Sequence, residues 1–190
     1  MNVIIETDRL LLRTFTEGDV DLIFQLNSDP DVTKYTCDPT FDLADAEKNL
    51  HDVILPQYAL YNYGRWATHL KEDLEFIGWC GLKYRADSNE VDLGYRFRKK
   101  FWGKGYATEA AYATLRYGFT QLNLHKIIAR ALPANLASIR VMEKCGMMYL
   151  GEGYLEGRLH KTYQAFASSP RSLLIAIKGI LTFPKYFVFQ

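Results

Sequence analysis

Two hydrophobic rhythms share this chain. Alternation of apolar and polar positions at 7–15, 65–70, 75–84, 91–98, 126–131, 147–152 and 161–166 predicts seven strands. The helical rhythm takes over between them. Val20, Ile23 and Phe24 predict a helix that ends near Asn27, before the breaker Asp29-Pro30-Asp31. Thr16 followed three residues later by Asp19 resembles an N-cap arrangement for it. Leu43, Ala46, Leu50 and Ile54 share one face of a second helix over 43–54, which Pro56 is expected to close. A third helix spans 107–119 and is rich in alanine. A fourth spans 136–144, opened by Pro133-Ala134-Asn135 and stopped by Gly146. Lys71-Glu72-Asp73 reads as a hairpin turn, and 86–90 and 153–158 as further polar turns.

In order this is a strand, two helices, three strands, a helix, a strand, a helix and two strands. Such an order predicts an α/β fold with one mixed sheet, part antiparallel and part parallel. Residues after 167 fit it poorly. Ser168-Ser169-Pro170 breaks the pattern, and an apolar run follows that Lys178 and Pro184 interrupt. The run falls short of the roughly 20 apolar residues of a membrane span. The expectation is a domain over 1–167 and an accessory segment over 168–190, packed on that domain or on a second subunit of a homodimer, with an interfacial membrane anchor as the alternative. No stable membrane insertion is expected.

A length of 190 residues with 48% hydrophobic positions suits one domain with a sizeable core. A formal charge of +1 offers no global field for nucleic acid. Cys37, Cys80 and Cys145 are odd in number and far apart, which argues against a disulfide framework or a metal site and suits a reducing compartment. Met1 is followed by no apolar leader, so a cytoplasmic location is expected.

The chemistry centres on Lys100-Phe101-Trp102-Gly103-Lys104-Gly105-Tyr106-Ala107-Thr108-Glu109-Ala110. It lies between a predicted strand and a predicted helix. Two glycines there let the backbone approach a ligand, with N–H groups pointing out of a helix N-terminus towards phosphate oxygens. Lys100 and Lys104 add positive charge. The dinucleotide fingerprint needs a third glycine where Thr108 stands, and the P-loop spelling is absent. What remains resembles the acyl-CoA pyrophosphate loop of the GNAT acetyltransferase superfamily. The wording Trp-Gly-Lys-Gly-Tyr-Ala-Thr-Glu-Ala resembles the RimJ/RimL-like branch that acetylates protein N-terminal amines. Lys100 departs from the family pattern, which has Gln or Arg there. Asn135-Leu136-Ala137-Ser138, followed by Glu143-Lys144-Cys145-Gly146-Met147, is similar to a second segment of that branch.

The resemblance covers about 6–167 and implies a sheet splayed between the fourth and fifth strands, with acetyl-CoA as co-substrate and an amine as acceptor. It implies that Gly103, Gly105, Tyr106 and Ala107, with Lys100, Trp102 and Lys104, hold the cofactor. The backbone of Tyr95, Arg96 and Phe97 would pair with the pantetheine arm as an added strand. Asn135 would hydrogen-bond cofactor or substrate, and Ser138 could give a proton to the departing thiolate. Read from spacing alone, Asn135 is a helix cap and Ser138 a first-turn polar residue. Many family members place a proton-donating tyrosine where this chain has Met142, so Ser138, another tyrosine or water must serve. Asp92 and Glu90 are the candidate bases, or else a polar strand edge. An α-amine costs about 1.4 kcal/mol to deprotonate at pH 7 and a lysine about 4.6, so the first tolerates a weak base. The alternatives are a small-amine or antibiotic N-acetyltransferase and a non-catalytic acyl-CoA-binding module.

Overall fold

A computed structural model describes residues 2–36 and 42–167. Cys37 and the apolar segment 168–190 lie outside them. One eight-stranded sheet forms the frame, in the order β1-β2-β3-β4-β5-β6-β8-β7. Its strands are β1 (Val3–Glu6), β2 (Leu10–Thr14), β3 (Arg65–Leu70), β4 (Phe76–Arg85), β5 (Glu90–Phe97), β6 (Lys126–Ala131), β7 (Met148–Leu155) and β8 (Arg158–Phe166). All neighbours are antiparallel except β5 and β6.

The helices are α1 (Val20–Asn27), α2 (Pro30–Thr33), α3 (Leu43–Asn49), α4 (Leu55–Tyr61), α5 (Tyr106–Thr120) and α6 (Leu136–Lys144). Three expectations need correction. The first predicted strand, 7–15, begins too early: residues 7–9 form a turn in which Thr7 N–H donates to the Leu10 carbonyl at 2.9 Å, only β2 falls within it, and β1 precedes it unexpected. Asp29-Pro30-Asp31 does not only break α1. Asp29 accepts from the Asp31 N–H and starts the short α2, with Pro30 in its first turn. Pro56 does not close the second helix. A π turn, Leu50–Ile54, separates α3 from α4, and Pro56 falls in the first turn of α4, where its missing N–H breaks no helical bond.

Alternation along the strands sorts side chains onto two faces. Trp66 packs edge-on against Tyr117 of α5, and Cys80 lies 3.4 Å from Thr114 of the same helix. This face forms the larger core, with Leu10, Leu12, Ile77, Leu82 and Ile127 buried beneath α5 and α6. On the other face Ala67 joins Phe15, Ile23, Leu26, Leu50 and Ile54 in a second core under α1 and α3. Asp19, at the start of α1, is buried and fully occupied. It accepts two 2.7 Å bonds from Arg13, one of 2.7 Å from Thr16 N–H and one of 2.9 Å from Thr16 Oγ.

β5 and β6 meet at one register pair only, Asp92 with Ile128. β4 and β5, by contrast, stay paired over eight positions. The sheet is therefore splayed between β5 and β6, the fourth and fifth of the seven strands expected from the sequence.

Candidate active site

β5 ends at Phe97, and residues 98–105 turn the chain into α5. Gly103 and Gly105 have φ of +75° and +84°, a region that favours glycine over any residue with a Cβ. A Cβ at Gly103 would meet nothing within 4 Å, so the turn is open on that side. Gly105 is the N-cap of α5 and no side chain caps it, which leaves the first-turn N–H groups facing outward. Such a terminus carries partial positive charge and suits a pyrophosphate. The residues present fit acetyl-CoA at this point.

The turn is pinned from a distance. Glu109 accepts from Thr7 Oγ at 2.6 Å, Arg9 N–H at 3.1 Å and Arg9 Nε at 2.6 Å. Arg9 also donates to the Lys104 carbonyl at 3.1 Å and lies over the Tyr106 ring. Arg9 thus brings to the glycine turn a cation that the sequence motif does not contain. Lys100 is paired with Glu75, and Lys104 lies over the Phe101 ring. Trp102 is half exposed and donates from its indole to the Phe97 carbonyl at 2.7 Å, so that carbonyl is already engaged.

A cleft of about 180 Å³ runs through the splay. It brings together Asp92, Tyr95, Arg96, Asn135 and Ser138; Glu90 and residues 100–107 are not in its lining. On the α5 side, Tyr95 projects to the N-terminus of α6. Its hydroxyl lies 2.9 Å from Ser138 Oγ and donates to the Ser138 carbonyl, also at 2.9 Å. Burial pushes the Tyr95 phenol up, so it keeps its proton at neutral pH. Asn135 caps α6, its Oδ1 accepting from Ser138 N–H at 3.1 Å. Met142, one turn on, is buried and offers no proton.

The opposite face of β5 is ionic. Arg65 donates to Asp92 Oδ2 at 2.6 Å, to the Asp92 carbonyl at 3.0 Å and to the Gly81 carbonyl at 2.6 Å. Its guanidinium occupies the space over Gly94, where a Cβ would come within 2.6 Å of it. Arg85 Nε stands 3.8 Å from the same carboxylate. Arg96 bonds Asn27 of α1 and lies over the Trp79 ring. Glu90 accepts from Arg130 at 2.5 Å and faces Lys126 at 3.6 Å. Burial pushes the Glu90 carboxyl up, but bonds from Arg130 and Ser88 and the charges of Arg130 and Lys126 outweigh it and leave the group below the usual glutamate range. Both carboxylates are thus held by arginines. Asp92 is engaged through Oδ2 and Glu90 through both carboxylate oxygens.

Cys80 and Cys145 are buried, and burial raises both thiols to about 12, which makes them inert as nucleophiles. Among the described residues no cluster of His, Cys, Asp and Glu could hold a metal ion, and no helix is long and apolar enough to cross a membrane.

The sequence model described as "Acetyltransferase (GNAT) domain" matches residues 9–148. The uncharacterized N-acetyltransferase p20 of Bacillus licheniformis is 35% identical over 168 residues, which cover 83% of this chain and 91% of that protein. A GNAT-family acetyltransferase from Bacillus anthracis has a similar structure, with a TM-score of 0.75 and 28% identity, covering 89% of this chain and all of the other. Spermidine N-acetyltransferase from Vibrio cholerae, solved with CoA and spermine, shares the fold at 23% identity and a TM-score of 0.70, over 85% of this chain and 98% of the other.

Proposed function

We propose direct acetyl transfer to an α-amine, on the premise that this chain belongs to the acetyltransferase (GNAT) family and is an acetyl-CoA-dependent N-acetyltransferase. Acetyl-CoA supplies the acetyl group as an activated thioester. The chain holds it through the N–H groups of the glycine turn and through the edge of β5 that the splay leaves open.

The observation that carries the reading is the Tyr95–Ser138 pair in the splay. A thiolate leaving group needs a proton, and Met142 cannot give one. Ser138 Oγ–H delivers it, the Tyr95 hydroxyl turns from the Ser138 carbonyl to Ser138 Oγ and replaces it, and the proton that the acceptor's ammonium loses on acylation returns to the Tyr95 oxygen, so both hydroxyls end as they began. Tyr95 therefore acts with its side chain as well as its backbone.

Asp92 and Glu90 serve as anchors of the arginines around the acceptor rather than as bases. Without a strong base the site favours an acceptor that is easy to deprotonate. An α-amine is such a group, and a lysine side chain is not. A protein N-terminal amine, the substrate of the RimJ/RimL-like branch, meets this requirement. A small amine is the second reading. The buried free thiols Cys80 and Cys145 suit a reducing, cytoplasmic setting.

The test is a panel of primary amines with acetyl-CoA, read by thiol release. The reading expects turnover with α-amines at neutral pH and little with lysine side chains. Acetyl-CoA binding without thiol release from any amine would leave a binding module instead.

A further inference from the structure

The acceptor side of the splay is strongly cationic, and two of its cations are incompletely paired. Four arginines line the cleft: Arg65, Arg85, Arg96 and Arg130. Arg65 and Arg85 meet Asp92 in the cleft, and Arg130 meets Glu90 beside it. All lie on the face of the sheet away from α5, since Asp92, Gly94 and Arg96 alternate with the core residues Leu93 and Phe97. The glycine turn has its own cations, Arg9 and Lys104. This cluster is therefore separate from the groups around the pyrophosphate turn.

Arg65 is fully committed to Asp92 and Gly81. Arg85 and Arg130 are not. Arg85 Nε and Arg130 Nη1 are buried and have no hydrogen-bond partner among the described residues. A buried donor without an acceptor is costly, the more so when charged. Two such donors in one cleft call for an acceptor that arrives from outside. Crowding points the same way: burial and the charges of Arg65 and Arg85 hold the Lys83 ammonium below the usual lysine range.

Resting on the acetyltransferase reading, we propose that the acceptor carries an oxyanion, in the first instance a carboxylate, on the same molecule as its amine, and that Arg85 and Arg130 bind it. Arginine forks match carboxylate geometry and give the strong, charge-assisted bonds that the two orphaned N–H groups lack. With the anion fixed on the outer face of β5, the amine is turned through the splay towards the Ser138 side. The same cluster repels polycations, so polyamines and aminoglycosides are rejected by charge.

Two sources of carboxylate are distinguishable. One is the α-carboxylate of a free amino acid. The other is an acidic side chain at a peptide N-terminus. The experiment compares kcat/KM, referred to the neutral amine from full pH profiles, for alanine against alaninamide, for Asp-Ala-amide against Asn-Ala-amide, and for spermidine. The proposal expects at least one acid to exceed its neutral counterpart about tenfold or more, with spermidine poorest. Preference within the first pair identifies a free amino acid, and within the second an acidic terminus. Arg85→Gln and Arg130→Gln should each cut the preference several-fold, and added salt should erode it in the native chain even where a variant fails to fold. Ratios near one in both pairs, or spermidine as the best acceptor, would overturn the proposal. If no amine turns over at all, it is the acetyltransferase reading that fails. Calorimetric titration of the N-acetylated forms of the same four compounds in the presence of CoA then decides the charge preference alone, and equal affinities for acid and amide would end it.

Discussion

Tyr95 Oη lies 2.9 Å from Ser138 Oγ across the splay between β5 and β6. The Tyr95 hydroxyl also donates to the Ser138 carbonyl, and either hydroxyl can be the donor between the two oxygens. Ser138→Ala should lower kcat by about 10²-fold with little change in acetyl-CoA affinity, because proton delivery matters chiefly in the transition state. Tyr95→Phe should do the same. If the pair acts as one device, the double variant should be hardly worse than either single one. Additive losses in a rapid-quench measurement of the chemical step would separate the two roles.

The glycine turn makes a charge prediction. Gly103→Asp and Gly103→Asn impose the same backbone strain at φ +75°, but only the first brings a negative charge to the open side of the turn. Thermal unfolding with and without acetyl-CoA should show the ligand shift abolished in the first and retained, though reduced, in the second. Equal shifts in the two variants would place the pyrophosphate elsewhere.

Asp92 is expected to behave as a structural carboxylate. Its side chain is 7% exposed and Arg65 is 13% exposed. Asp92→Asn would leave Arg65 buried without its counter-ion, at a cost of about 3 kcal/mol of stability. The rate should drop by a similar factor at every pH from 6 to 9. A loss that shrinks as pH approaches the amine's pKa would instead make Asp92 a base.

Some of this arrangement was legible in the residues and some was not. β6 and α6 were found at their observed boundaries, because Pro133, Asn135 and Gly146 punctuate them locally. β1 was missed because the turn at 7–9 is held partly by Glu109, about a hundred residues away. The helix at 43–61 was cut short because Pro56 looks like a stop until the π turn before it is seen. The glycine turn was readable as a phosphate cradle, but Arg9 beside it was not. Alternation put Asp92 on a strand and gave no sign of Arg65, 27 residues earlier, as its partner. Tyr95 entered as a stretch of backbone, since nothing local says that α6 will present Ser138 to its hydroxyl.

Acid stability should depend on Asp19. Burial pushes its carboxyl up, but bonds from Arg13 and Thr16 outweigh this and leave it below the ordinary aspartate value of 3.8. A lowered folded pKa means stabilisation that is complete above the unfolded value, near 4, and is lost as pH falls through the folded one. Asp19→Asn should therefore be clearly less stable than the native chain at pH 7, with the gap closing below about pH 4. A gap independent of pH in urea melts would assign the effect to packing.

The central claim is that the acetyl group passes straight from thioester to amine within the splay, with no acetylated side chain on the way. Its most direct test is the initial-velocity pattern when acetyl-CoA and the best amine are varied together. The account predicts intersecting double-reciprocal lines, as both substrates must be bound before either product leaves. Parallel lines, with an acetylated protein detectable by mass when acetyl-CoA is given alone, would contradict it.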